Sequence, residues 1–402
     1  MLRKVLFVES GLGYGGSAFS LFRLVKSLDR TRYEPHVVAF HSAQAFEQIR
    51  AIGVPMKIIR SFRPLLDRSQ PERNCLIKAR KYCSVYGNMS ADTLCSGIRL
   101  ARYIQRQGID LVHLNNGIVD NLPAAFAARL TRTPCVSHVR GTEPLLRIER
   151  YVANWVSAII TLNHVVFSDY VSAFGKEKVH LICNGVDLDA FQKPNPQKIR
   201  EEFNIQPGTF AVGTFARLVE GKGIPEFIAA AAQVSREHGR SRFFIIGHDP
   251  AKDRAFETRM RKLAGESCLD GRLVFTGWRT DRVDILAAMD VVLQISTTYP
   301  EGMSLVPLEA MALGKPVIVT KIPGYEFCVD EGRTGFMVEP GDIQALTEKV
   351  LILVRDGGLA REMGQEGYRK ALREFDVRLT ACEVQKIYDR LLDQRQNIHC
   401  QS

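Results

Sequence analysis

No stretch of this 402-residue chain reaches the roughly 18 apolar residues that a bilayer-spanning helix needs. The best candidate, around 151–167, is broken by Asn154, Asn163 and His164. The nine cysteines show no C-x-x-C spacing, and that scattered, odd set argues for reduced thiols and a cytosolic compartment. Neither an H-E-x-x-H run nor a Cys/His cluster occurs, so nothing suggests a metal site. No secretory signal is expected either. The apolar run after Met1-Leu2-Arg3-Lys4 is cut short by Glu9 and reads as a first buried strand.

Acidic residues are scarce in the first half. Residues 1–187 hold 25 Lys+Arg against 14 Asp+Glu, whereas 188–402 hold 29 against 30, so the whole excess of the +10 chain lies in the first half. Much of it falls in 60–81, at Arg60, Arg63, Arg68, Arg73, Lys78, Arg80 and Lys81, interleaved with Phe62, Leu65 and Leu66. Such a segment could rest on an anionic membrane surface, at up to about 1 kcal/mol per basic residue. An anionic acceptor or a solvated loop fits it as well. Nucleic acid is not expected, because no reading motif accompanies the charge.

What the chain does have is regular alternation of short apolar runs with helical patterns. Strands are expected at Val5–Val8, His36–Phe40, Lys57–Ile59, Leu111–Leu114, Cys135–Val139, Ala158–Leu162 and Val179–Cys183. A turn-rich stretch at 184–197 reads as a linker, after which the pattern restarts at Ala211–Thr214. Length and pattern together predict an α/β protein of two doubly wound, Rossmann-like domains facing across a cleft, at 1–187 and 188–379. Ligands are expected at the carboxyl ends of the strands. An amphipathic C-terminal helix covers roughly 376–395.

Residues 301–309, Glu-Gly-Met-Ser-Leu-Val-Pro-Leu-Glu, carry the clearest chemical signal. Ser304 can cap a helix beginning there, and Pro307 falls in its first turn, where the missing N–H costs little. Glu301 and Glu309 then flank a helix N-terminus with its free amides and positive dipole. That suits a ligand that is polyhydroxylated at two points and anionic between them, as a nucleotide-sugar is. Upstream, 213–223 read Gly-Thr-Phe-Ala-Arg-Leu-Val-Glu-Gly-Lys-Gly, residues 11–16 read Gly-Leu-Gly-Tyr-Gly-Gly, and 137–143 read Ser-His-Val-Arg-Gly-Thr-Glu.

Together these runs resemble the retaining GT-B glycosyltransferases, above all glycosyltransferase family 4, and the resemblance covers most of the chain. It implies the GT-B fold, with a last helix (about 380–402) packing back on the first domain. It gives Glu309 the ribose hydroxyls and Glu301 the donor sugar, with Gly302, Met303, Ser304 and Leu305 beside the donor. Arg217 and Lys222 become the diphosphate clamp, stabilising leaving-group charge without a metal. Gly15 and Gly16 approach the diphosphate or its sugar, although this chain has Gly-Gly-Ser-Ala where many members have Gly-Gly-Ala-Glu. His138 would stand beside the transferred sugar, and Arg140 and Glu143 are candidate acceptor contacts. Asn184-Gly185-Val186-Asp187 matches a mainly architectural turn, and Trp278 lies near a base-contacting element or is simple packing.

The implied activity is retaining, metal-independent sugar transfer from a UDP- or GDP-sugar, used as a substrate with no cofactor, to a saccharide or lipid-linked acceptor. Polysaccharide, lipopolysaccharide or glycolipid assembly would follow, in the cytoplasm or peripherally at the inner face of the membrane. A GT-B sugar-nucleotide epimerase, a phosphorylase or a non-catalytic nucleotide-sugar binding module shares much of the pattern. Gly11, Gly13 and Gly16 also satisfy G-x-G-x-x-G, but a nicotinamide oxidoreductase wants an acid ending the second strand. Ala39-Phe40-His41 offers none.

Overall fold

The computed structural model describes residues 2–10, 16–40, 45–59, 92–142, 145–249, 251, 253–269, 271–299 and 301–401. The basic segment 60–81, Gly15 and Glu143 lie outside these residues. The chain forms two compact units, Met1–Cys183 with Thr380–Ser402, and Asn184–Leu379.

The first unit is built on seven strands: β1 (Arg3–Glu9), β2 (Tyr33–Ala39), β3 (Met56–Ile58), β4 (Leu111–Asn115), β5 (Cys135–His138), β6 (Ala158–Thr161) and β7 (Val179–Leu181). Their order is β3-β2-β1-β4-β5-β6-β7, and every pairing is parallel. Leu6 and Val8 of β1 join one apolar core, while Val5 and Phe7 join another. Alternate residues of one strand thus feed both faces, which is why the strand reads as a continuous apolar run. Strand order reverses between β1 and β4, where doubly wound sheets open their ligand crevice.

The C-terminal helix Val377–Gln401 belongs to this unit from Thr380 onward. Ala381, Val384, Ile387, Tyr388, Leu391 and Leu392 enter the same core as Val5 and Phe7. Asp389 accepts from Arg3 (2.7 Å), from Arg32 (2.7 Å) and from the Tyr33 hydroxyl (2.5 Å).

The second unit holds β8 (Phe210–Phe215), β9 (Ser241–Ile246), β10 (Leu273–Gly277), β11 (Val291–Gln294), β12 (Val317–Thr320) and β13 (Gly335–Val338). Their order is β10-β9-β8-β11-β12-β13, again all parallel, with the reversal between β8 and β11. The turn-rich stretch read as a linker contains a 3-10 turn, Leu188–Phe191, and the start of helix Pro196–Glu202. Asn195 caps that helix, accepting from Lys198 N, and a proline opens it, so the same turn-forming residues act as a helix start. Two helices not foreseen, Ile343–Arg355 and Gly357–Glu374, are separated only by Asp356, whose side chain caps the second. Among the described residues no helix is long and apolar enough to cross a membrane.

Candidate functional site

In the second unit, the loops after β8 and β11 are locked together. Gly223 has φ +75°, and a Cβ there would lie 2.0 Å from the Ile295 carbonyl oxygen. Only glycine permits both that conformation and that approach. The Gly221 carbonyl accepts from Thr297 N at 2.8 Å and from Tyr299 N at 3.3 Å. This seam brings Lys222 onto Glu301. The ammonium donates to Glu301 Oε1, which also accepts from Ser296 Oγ at 2.7 Å. Burial draws the Lys222 pKa down, and the Glu301 charge opposes that shift. Arg217 donates to the Tyr299 hydroxyl, and the Lys222 ammonium lies 3.8 Å from the centre of the Tyr299 ring.

Helix Leu305–Ala312 starts where Ser304 caps it, accepting from Val306 N at 3.3 Å. The preceding turn is held from two sides. Asn184 Nδ2 donates to the Met303 carbonyl at 2.9 Å. Gly324, at φ +97°, packs so close that a Cβ would stand 2.0 Å from the Gly302 oxygen. Glu309, the fifth helical residue, is 1 % exposed and accepts from Arg282 Nε at 2.5 Å. Both glutamates are ion-paired, Glu301 with Lys222 and Glu309 with Arg282, and neither is a free surface group. Trp278, 42 % exposed, sets its ring edge-on to His248, with 5.4 Å between centroids.

In the first unit, register places Glu9, Asn115 and His138 side by side at the carboxyl ends of β1, β4 and β5. All three are fully buried. Glu9 accepts from Asn115 Nδ2 and, at 2.5 Å, from Asn116 Nδ2. Asn115 Oδ1 accepts from Arg140 Nε at 2.9 Å. Burial lowers the Arg140 pKa to about 10, while the Glu9 charge acts the other way. Burial, then the Arg140 charge, then His113 push His138 well below the usual histidine range, so it is neutral near pH 7. Neither His138 ring nitrogen has a protein hydrogen-bond partner among the described residues. Its ring lies 5.4 Å from that of His113, whose Nδ1 is 2.7 Å from the Tyr388 hydroxyl of the C-terminal helix.

His138 and Gly16 thus belong to the first unit, Gly16 opening helix Gly16–Lys26. Arg217, Lys222, Glu301, Gly302, Met303, Ser304, Leu305 and Glu309 belong to the second. The sequence reading missed Glu9, Asn115, Asn116, Ser296, Tyr299 and Arg282. Register alone could have raised Glu9 and Asn115, as polar residues ending the two strands of the switch point. No group of three or more His, Cys, Asp or Glu among the described residues is arranged to hold a metal.

Two parallel-sheet, Rossmann-like units with polar clusters at their switch points define the GT-B class, and known structures agree. Anabaena HepE, solved with UDP, superposes with a TM-score of 0.79 over 96 % of this chain and 100 % of that one, at 22 % identity. The Glycosyltransferase Family 4 model matches residues 14–190 and the Glycosyl transferases group 1 model matches 209–356, and the chain belongs to this family of glycosyltransferases. It is 28 % identical over 321 residues to the UDP-Gal:α-D-GlcNAc-diphosphoundecaprenol α-1,3-galactosyltransferase of Escherichia coli, covering 74 % of this chain and 78 % of that protein. With EpsD of Bacillus subtilis it shares 27 % over 256 residues, 61 % of this chain, and spans 64 % of that protein's length.

Proposed function

We propose that the protein moves a sugar, with retention of anomeric configuration, from a nucleoside-diphosphate donor to a hydroxyl of a saccharide or lipid-linked acceptor. The observation that carries this is the convergence of Arg217, Lys222 and Glu301 at the β8/β11 switch point, next to the Ser304-capped helix that bears Glu309. Arg217 and Lys222 hold the diphosphate and stabilise its charge as the glycosidic bond breaks. Lys222 has three donors, so it can keep Glu301 while donating to a phosphate oxygen. Glu309 binds the ribose hydroxyls, Glu301 holds sugar hydroxyls, and the backbone of Gly302–Leu305 lies against the donor.

The new bond runs from acceptor oxygen to anomeric carbon while the anomeric carbon–phosphate oxygen bond breaks. The acceptor proton passes to the leaving phosphate on the same face, which needs no enzyme nucleophile. Likeness to UDP-bound HepE supports a uridine donor. The E. coli relative supports a lipid-linked saccharide acceptor and a role in polysaccharide, lipopolysaccharide or glycolipid assembly. The basic excess of residues 1–187 supports a cytoplasmic protein seated peripherally on an anionic membrane surface. NMR of the glycoside formed from an α-configured UDP-sugar tests retention: an α product is expected, and a β product overturns it.

A further inference from the structure

Tyr299 is the one aromatic side chain among the described residues that touches both Arg217 and Lys222. Its hydroxyl oxygen accepts from Arg217 Nη2, and its ring centre lies 5.3 Å from the Arg217 guanidinium carbon and 3.8 Å from the Lys222 ammonium. The two cations work against each other, since the Arg217 charge lowers the Lys222 pKa on top of the larger effect of burial. An aromatic face attracts an ammonium without neutralising it, and a phenol oxygen takes one of the five guanidinium donors and leaves four. Tyr299 is itself anchored to the strand-end seam, because its N–H donates to the carbonyl of Gly221, the residue before Lys222. Ring and cation are therefore fixed by one piece of backbone.

We infer that Tyr299 is a positioning residue that holds both cations ready for a diphosphate before the donor arrives. Long basic side chains lose rotamer freedom when they engage a ligand, and a partner that fixes them beforehand lowers that cost. The inference rests on the proposed role of Arg217 and Lys222 as the diphosphate clamp, and its test separates the two. Inorganic pyrophosphate, which carries neither base nor sugar, is titrated by 31P NMR into wild type, Tyr299→Phe, Tyr299→Leu and Arg217→Ala. Tyr299→Leu is expected to bind about tenfold more weakly, equivalent to about 1.4 kcal/mol. Tyr299→Phe, which keeps the ring over Lys222 and loses only the hydroxyl, is expected to lose about threefold. A purely structural role predicts no such graded rescue.

Wild-type affinity in Tyr299→Leu, with binding lost in Arg217→Ala, overturns the inference and leaves the clamp standing. Unchanged binding in Arg217→Ala overturns the clamp and the inference with it. If Tyr299→Leu fails to fold by circular dichroism, Tyr299→Phe decides, and an affinity equal to wild type overturns the inference.

Discussion

Lys222 and Glu301 are 79 positions apart in sequence and meet as a buried ion pair in a loop seam. A charged group taken from water needs such a partner, and removing one partner strands the other. Arg217→Ala and Lys222→Ala are expected to weaken diphosphate binding and also to slow turnover. Each removes one charged hydrogen bond to the leaving diphosphate, worth roughly 1.5–3 kcal/mol, so kcat falls by about ten- to 150-fold in steady-state assays. His113 gives a second expectation at this scale. Burial, aided by the Arg140 charge, pushes its pKa from the ordinary 6.5 to about 3. Between those values the unfolded chain binds the proton and the folded chain does not, so stability is lost as pH falls from 6.5 toward 3. Denaturant titration of wild type should lose about 1.4 kcal/mol on this account by pH 5.5, and His113→Phe should flatten that slope.

At the scale of elements, the sheet gives the site its frame and the glycines bring the loops together. In Gly223→Ala the added Cβ meets the Ile295 carbonyl at 2.0 Å in a left-handed conformation. Strain of about 1–3 kcal/mol is expected, visible as a lower Tm together with weaker nucleotide binding, because the β8 and β11 loops part. The C-terminal helix matters in a different way. Tyr388 is fully buried and ties the helix to His113. Tyr388→Ala should lose about 3–5 kcal/mol of stability, as deletion of a large aromatic does. Tyr388→Phe should lose far less, and thermal melting distinguishes them.

Across the whole molecule, the fold was legible because buried parallel strands are written as plain apolar runs, and Val5–Val8 or Val291–Gln294 can hardly be read otherwise. The capped helix at Ser304 was equally visible, since cap, proline and apolar run coincide. What stayed hidden depends on neighbours brought in by the fold. Arg282 on Glu309, Tyr299 on Arg217, and the Glu9–Asn115–His138 row exist only through register and loop packing. Helices Ile343–Arg355 and Gly357–Glu374 were missed because only one capping aspartate divides them. The second unit is expected to hold a nucleoside diphosphate through Glu309 and the Arg217–Lys222 pair. Calorimetric titration of UDP, GDP and ADP into wild type and Glu309→Ala tests it most directly. One nucleotide, UDP first among them, is expected to bind wild type without added metal and to bind the variant at least about tenfold more weakly. Equal affinity in the variant, or no binding of any of the three to wild type, would contradict it.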